Sequence, residues 1–275
     1  MMETGDELLA RIAEALERIA PPPAPPADLS EALAWRWDGA ETHPVRHFAP
    51  LPLDLIIGVD RQKADVLENS RRLAVGAAAH DVLLWGARGM GKSALVKSVV
   101  STLADEGLPI ALVEAGADRI ATLPRLFALL GDSGRPFILF VDDIAFAGDD
   151  ETPRLVRSML EGGSEARPAN VRIYVTSNRR NIVERRMDEQ DDPVNPRDAQ
   201  DDKLALADRF GLKLGFQYPD QPAFLAMVRH YTAHFALPYD ENDALSFAQS
   251  RGGRSGRIAW HYAVELAGRE GRSLS

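Results

Sequence analysis

The run Gly86-Ala87-Arg88-Gly89-Met90-Gly91-Lys92-Ser93 constrains this chain more than any other stretch. It fits the pattern G-x-x-x-x-G-K-[ST], follows the short apolar run Val82 to Trp85 and opens the helical run Ala94 to Leu103. A strand, a glycine-rich turn and a helix in that order form a cradle for phosphates. Glycines let the backbone wrap with its N–H groups inward, and the helix amino terminus adds positive potential. In such a loop Lys92 reaches the β- and γ-phosphates of a nucleotide, and the Ser93 hydroxyl ligates magnesium. Gly86, Ala87, Arg88, Gly89, Met90, Gly91, Lys92 and Ser93, with Ala94 opening the helix, are the expected nucleotide-binding residues.

Magnesium needs a second protein ligand, and Phe137-Ile138-Leu139-Phe140-Val141-Asp142-Asp143 supplies one: an apolar run ending in two carboxylates, fifty residues beyond Lys92. Asp142 is expected to bind the ion, directly or through water, and Asp143 to orient or deprotonate an attacking water. Around these motifs, short apolar runs alternate with helical patterns from about Leu53 to Phe216. Val82 to Trp85, Ile110 to Val113, Phe137 to Val141, Val171 to Val175 and Leu212 to Phe216 read as five buried strands. The expected fold is therefore α/β, a P-loop NTPase with a five-stranded parallel sheet and helices on both faces, and ligands at the carboxyl ends of the strands. After Tyr218-Pro219 the pattern is purely helical, over roughly Gln221 to Phe235, Asp240 to Ser250 and Ser255 to Arg269, which reads as a small helical lid.

The amino-terminal part is different. Leu8, Leu9, Ile12, Leu16 and Ile19 recur at helical spacing among charged residues, so an amphipathic helix is expected from Asp6 to Ala20, either packed on its own domain or serving as a partner-binding arm. Pro21-Pro22-Pro23-Ala24-Pro25-Pro26 cannot continue a helix and separates it from the rest. The organisation read from the sequence is a helix and proline-rich linker over 1–27, an α/β core over 28–218 and a lid over 219–275. Trp35 and Trp37 alternate as on one side of a strand, a pattern that suits core packing better than ligand stacking. The stretch from Glu184 to Asp208 is acidic, carries Pro193 and Pro196, and reads as a surface loop.

Composition removes several function classes. Cysteine is absent, so disulfides, thiolate metal sites and cysteine nucleophiles are excluded together. The six histidines show no metal-ligand spacing. A formal charge of -9 argues against a surface that coats nucleic acid through clustered cations. With no apolar run of membrane-spanning length and no signal-peptide pattern at Met1 to Glu7, a soluble cytoplasmic protein without membrane association is expected.

In order along the chain, five segments resemble those of AAA-plus ATPases: the phosphate loop, Asp142-Asp143, Thr176-Ser177-Asn178, Asp208-Arg209-Phe210-Gly211-Leu212 and Arg254-Ser255-Gly256-Arg257. More narrowly, Leu160-Glu161-Gly162-Gly163, Arg167-Pro168-Ala169-Asn170-Val171 and Ser177-Asn178-Arg179-Arg180 are similar to the bacterial predicted ATPases grouped as domain-of-unknown-function family 815. The resemblance runs from about Leu53 to the carboxyl terminus. It implies ATP and Mg2+ as ligands, and it implies site roles. Asn178 resembles the sensor-1 residue near the γ-phosphate. Arg209 resembles the arginine finger presented to a neighbouring subunit. Arg257, with Arg254 as the competing candidate, resembles sensor 2. Ile56, Ile57 and Gly58 resemble the segment that flanks adenine. Two departures stand out. Asp143 replaces the usual glutamate, and Ala145 occupies a position where the narrower family commonly has serine.

The function these features imply is an ATPase that couples ATP binding and hydrolysis to remodelling of a macromolecular partner, as a homo-oligomer in the ATP state. Two alternatives are an ATP-dependent switch with slow or no turnover, and an initiator- or loader-like nucleic-acid-binding ATPase, which the acidic balance disfavours. A small-molecule kinase would have no need of the finger and sensor-2 positions.

Overall fold

The computed structural model describes residues 28–144, 156, 157, 160, 167–178 and 207–274, together with Gly5, Leu9, Arg11, Ile12 and Glu14. Within the expected amino-terminal helix, Leu9 and Ile12 are helical and exposed. The proline-rich linker, Ala145, Arg179-Arg180 and most of the acidic stretch from Glu184 lie outside the described residues.

A single sheet organises the chain. Its strands are β1 (Ala34–Trp37), β2 (Thr42–Pro44), β3 (Val82–Gly86), β4 (Ala111–Ala115), β5 (Phe137–Val141), β6 (Val171–Ser177) and β7 (Leu212–Phe216). The order is β2-β1-β4-β5-β6-β3-β7, with β2 antiparallel to β1 and every other pairing parallel. All five runs read as strands from the sequence are present, but the sheet has seven strands rather than five. The two additional ones form a hairpin at the edge. Asp38 Oδ1 accepts hydrogen bonds from the N–H groups of Ala40 and Glu41, both at 2.8 Å, and Gly39 sits at a φ of 107°, so Asp38-Gly39 turns the chain from β1 into β2. Trp35 and Trp37 are 1% and 2% exposed on one face of β1, and both pack in the core.

Alternation along the strands divides the core in two. Leu84, Leu112, Ile138, Phe140, Tyr174 and Phe216 face one side. Leu83, Val113, Leu139, Ile173 and Val175 face the other. The first side is covered by α1 (Asp60–Ala74), α2 (Lys92–Asp105) and the three carboxyl-terminal helices; the second by a 3-10 turn at Ala117–Thr122 and α3 (Leu123–Asp132). Strand β5 is buried throughout, as expected for a parallel strand covered on both faces.

The carboxyl-terminal helices are α4 (Gln221–His234), α5 (Glu241–Ser250) and α6 (Gly256–Arg269). Each begins where the sequence supplies a cap. The side chains of Asp220, Asp240 and Ser255 accept from the N–H groups of Ala223, Asp243 and Ile258, contacts that typically stabilise a helix by about 1 kcal/mol each. Helices α4 and α6 pack through Tyr231 and Trp260, whose rings meet edge-to-face at 5.5 Å. Among the described residues no helix is long and apolar enough to cross a membrane.

Candidate active site

The glycine loop has a shape only its own sequence allows. Gly86 ends β3 at a φ of 120°, and a Cβ there would lie 2.1 Å from the Phe216 carbonyl oxygen, so β7 closes against bare backbone. Ala87 N–H then donates to the same carbonyl at 2.7 Å. Gly89 and Gly91 are also left-handed, at 73° and 83°, and Gly91 is the residue from which α2 starts. These turns aim the first helical N–H groups of α2 into the cleft above the carboxyl edge of the sheet.

Lys92 is the centre of the cluster. Its side chain is 5% exposed, and Nζ donates to the carbonyls of Gly86 (3.1 Å) and Ala87 (2.8 Å) and to Oδ1 of Asn178 (2.9 Å). Burial pushes this ammonium down to about 8, against the opposing pull of Asp142 and Asp143. A cation so enclosed is short of compensating negative charge, which a phosphate chain supplies. Asn178 has a second contact: its amide donates to Oδ1 of Asp143. One side chain thus joins the loop lysine to the second carboxylate.

The other carboxylate faces the loop serine. Ser93 Oγ donates to Asp142 Oδ1 at 2.7 Å, so a hydroxyl and a carboxylate converge where a hard, oxygen-seeking divalent cation fits. The Thr176 hydroxyl also donates to Asp142 Oδ1 and accepts from the Asp143 N–H at 2.8 Å. Thr176 therefore fixes both acids, a role that its place at the start of Thr176-Ser177-Asn178 does not reveal. Asp143 is held at a φ of 55°, a conformation that aspartate tolerates better than most residues. Thr176 is 1% exposed, so Thr176→Val removes a buried hydroxyl that bonds both acids and leaves the Asp143 N–H without its acceptor, and stability should fall by roughly 1–3 kcal/mol in urea denaturation. An unchanged midpoint would show that Thr176 does not anchor the pair.

A cavity of about 950 Å3 opens over these groups. At its polar end it is lined by Arg88, Gly89, Met90, Gly91, Lys92, Ser93, Ala94, Asp142, Asp143, Asn178 and Arg257. At its apolar end it is lined by Leu51, Ile56, Ile57, Met227, Tyr231 and Trp260 among others. Gly86 and Ala87 stand behind the cavity wall and act through their carbonyls on Lys92. Gly58 is also off the wall; it sits at a φ of 76°, and a Cβ there would meet Met227 Cε at 2.8 Å. Arg257 lies over the loop, its N–H donating to the Gly89 carbonyl at 2.8 Å, whereas Arg254 contacts Gln221 and lines a different cavity. Sequence periodicity could not reveal the contribution of α4 and α6 to the apolar end, because a buried stripe does not say what it is buried against.

Arg209 does not line this cavity. It precedes the amino end of β7, while the loop follows the carboxyl end of β3. The two strands run parallel with Val82 opposite Leu212 and Gly86 opposite Phe216. At about 3.3 Å per residue, Arg209 is roughly 15 Å or more from its own loop, beyond the reach of its side chain.

This sheet order, loop and capping helices are those of a P-loop NTPase of the AAA-plus type. Solved structures that share the fold include two single-residue variants of RuvB from Thermotoga maritima, 18% and 19% identical, each at a TM-score of 0.50 with 82% of this chain and 68% of that chain covered. The RuvB Holliday junction branch migration motor of the same organism aligns at a TM-score of 0.49, 18% identical over the same shares of the two chains. The chain belongs to the family described as protein of unknown function (DUF815), which matches residues 29–270. No curated protein sequence matches it.

Proposed function

We propose that this protein binds ATP with Mg2+ in the cavity between the loop and helices α4 and α6, and hydrolyses it slowly to drive motion against a macromolecular partner. The observation that carries this reading is the linkage through Lys92, Asn178 and Asp143, with Ser93 and Asp142 meeting at 2.7 Å beside it.

In this reading the planar base lies at the apolar end, between Ile56 and Ile57 and the Tyr231 and Trp260 side of the lid. The triphosphate follows the loop. Lys92 then exchanges a carbonyl partner for the β- and γ-phosphate oxygens, and Arg257 reaches the γ-phosphate from α6. Ser93 and Asp142 would hold magnesium, which when bound neutralises charge on the phosphate oxygens. Asp143 Oδ1 is engaged by Asn178, so its other oxygen, 3.7 Å from Arg88 Nη2, is the atom left to take a proton from water. The helices over 219–275 move with the nucleotide state because they contribute both Arg257 and the base-end wall. Arg209, too far from its own site, completes that of a neighbour, which makes the ATP state a homo-oligomer. A switch with little turnover is the second reading, favoured by the engagement of the short Asp143 carboxylate by Asn178; phosphate release by the purified chain separates the two.

Lys92→Ala tests the binding assignment. Hydrogen bonds to charged groups contribute about 1.5–3 kcal/mol each, so calorimetric ATP affinity should fall by roughly ten- to more than a hundredfold. Without nucleotide the variant should melt no lower than the parent, because a buried, under-compensated cation has been removed. Wild-type affinity in this variant would place the nucleotide elsewhere.

A further inference from the structure

A second cavity, of about 920 Å3, lies on the far side of Gly89 and Arg257 from the first. Among the described residues, Arg88, Arg251, Arg254, Arg257 and His261 line it, and no aspartate or glutamate does. In a chain of formal charge -9 this is a local reversal of sign. Of the acids beside it, Asp220 accepts from Ala223 N–H at the start of α4, and Asp143 stands 3.7 Å from Arg88 within the first cavity. Arg251 rests 4.9 Å from the Phe247 ring centre, and Arg254 donates to the Gln221 amide oxygen at 3.4 Å. Neither contact neutralises a guanidinium.

The remaining lining has a particular character. Gly252 and Gly253 are exposed, and a Cβ on either would meet no atom within 4 Å, so a ligand's backbone can lie directly on the chain there. Tyr218, 51% exposed, brings an aromatic ring to the same groove. Arginine forks suit phosphate oxygens, and a cationic groove with an aromatic face is the combination that holds single-stranded nucleic acid without reading its sequence. An acidic polypeptide would use the cations but would gain nothing comparable from the ring.

We infer that this groove binds a single-stranded nucleic acid, with Arg251 and Arg254 on its phosphates and Tyr218 stacked against a base. The groove shares Arg88, Gly89 and Arg257 with the candidate nucleotide cavity, so a bound strand lies against the phosphate loop itself.

Fluorescence anisotropy of the full chain with labelled oligothymidylate or oligouridylate of about 20 nucleotides tests this, a length that exceeds the site sizes usual for such grooves. The titrations contain no nucleotide triphosphate, so they report on this groove independently of ATP in the neighbouring cavity, and comparison of the two probes shows whether a DNA or an RNA strand is preferred. Binding is expected, weakening with salt at a logarithmic slope of roughly 0.7 per phosphate contact. The double substitution Arg251→Glu, Arg254→Glu should reduce affinity at least about tenfold and flatten that slope by roughly 1.4, and Tyr218→Ala should reduce affinity about five- to a hundredfold. The proposal is overturned if neither probe binds, if the variants bind like the parent with the same slope, or if polyglutamate displaces the strand at comparable concentration.

Discussion

Arg209→Ala is expected to lower ATP turnover by roughly a thousand- to a hundred-thousandfold, about 4 to 7 kcal/mol of barrier, while nucleotide affinity stays near that of the parent. Arg209 sits at the amino edge of a sheet whose carboxyl edge carries the phosphate loop, and the register of β3 against β7 leaves no path for its side chain to its own site. If Arg209 stabilises charge on the transferred phosphoryl group, it does so in the site of a neighbouring subunit. Complementation distinguishes this from a structural role. Mixing Arg209→Ala with Lys92→Ala subunits places an intact site from the first against an intact finger from the second, and some activity should return. No recovery at any ratio, with the parent remaining monomeric in ATP, would rule out the role in trans.

Asp143→Asn should lower turnover by roughly a hundred- to ten-thousandfold, the contribution typical of a positioned general base, with ATP affinity near normal. Few substitutions are this conservative in shape. Asparagine tolerates the left-handed conformation that Asp143 adopts at a φ of 55°, and its amide oxygen can still accept from Asn178. What is lost is the negative charge beside Lys92 and Arg88 and, with it, the ability to take a proton. The same backbone conformation suits a short acidic side chain at this position, since a left-handed residue favours aspartate or asparagine. Asp142→Asn should instead weaken magnesium-dependent binding, because Asp142 Oδ1 is the partner of Ser93. If Asp143→Asn hydrolyses ATP as fast as the parent, the base lies elsewhere, with Asp149, Asp150 and Glu151, outside the described residues, next in line.

The central sheet was legible because its inner strands are largely buried on both faces: Phe137 to Val141 can be read as an unbroken apolar run because nothing on β5 meets solvent. At the edge, the alternation of Trp35 and Trp37 suggests a strand, but the hairpin they belong to is harder to see, because β1 and β2 are only four and three residues long and depend on the turn Asp38-Gly39. In the site, the loop residues and Asp142 carry their chemistry in their order along the chain. Thr176 does not, since a threonine inside a strand gains its role only when β6 is laid beside β5 and its hydroxyl reaches both acids. Met227, Tyr231 and Trp260 were hidden for the same reason: α4 and α6 each show an apolar stripe, and only their packing reveals that part of it lines a cavity rather than filling the core.

Inorganic phosphate release from MgATP by the purified full chain, measured beside Lys92→Ala, tests the proposed activity most directly. Slow release that requires magnesium, rises with protein concentration and disappears in Lys92→Ala is the expected result. Release that survives Lys92→Ala, or a parent chain that neither releases phosphate nor binds ATP by calorimetry, would contradict it.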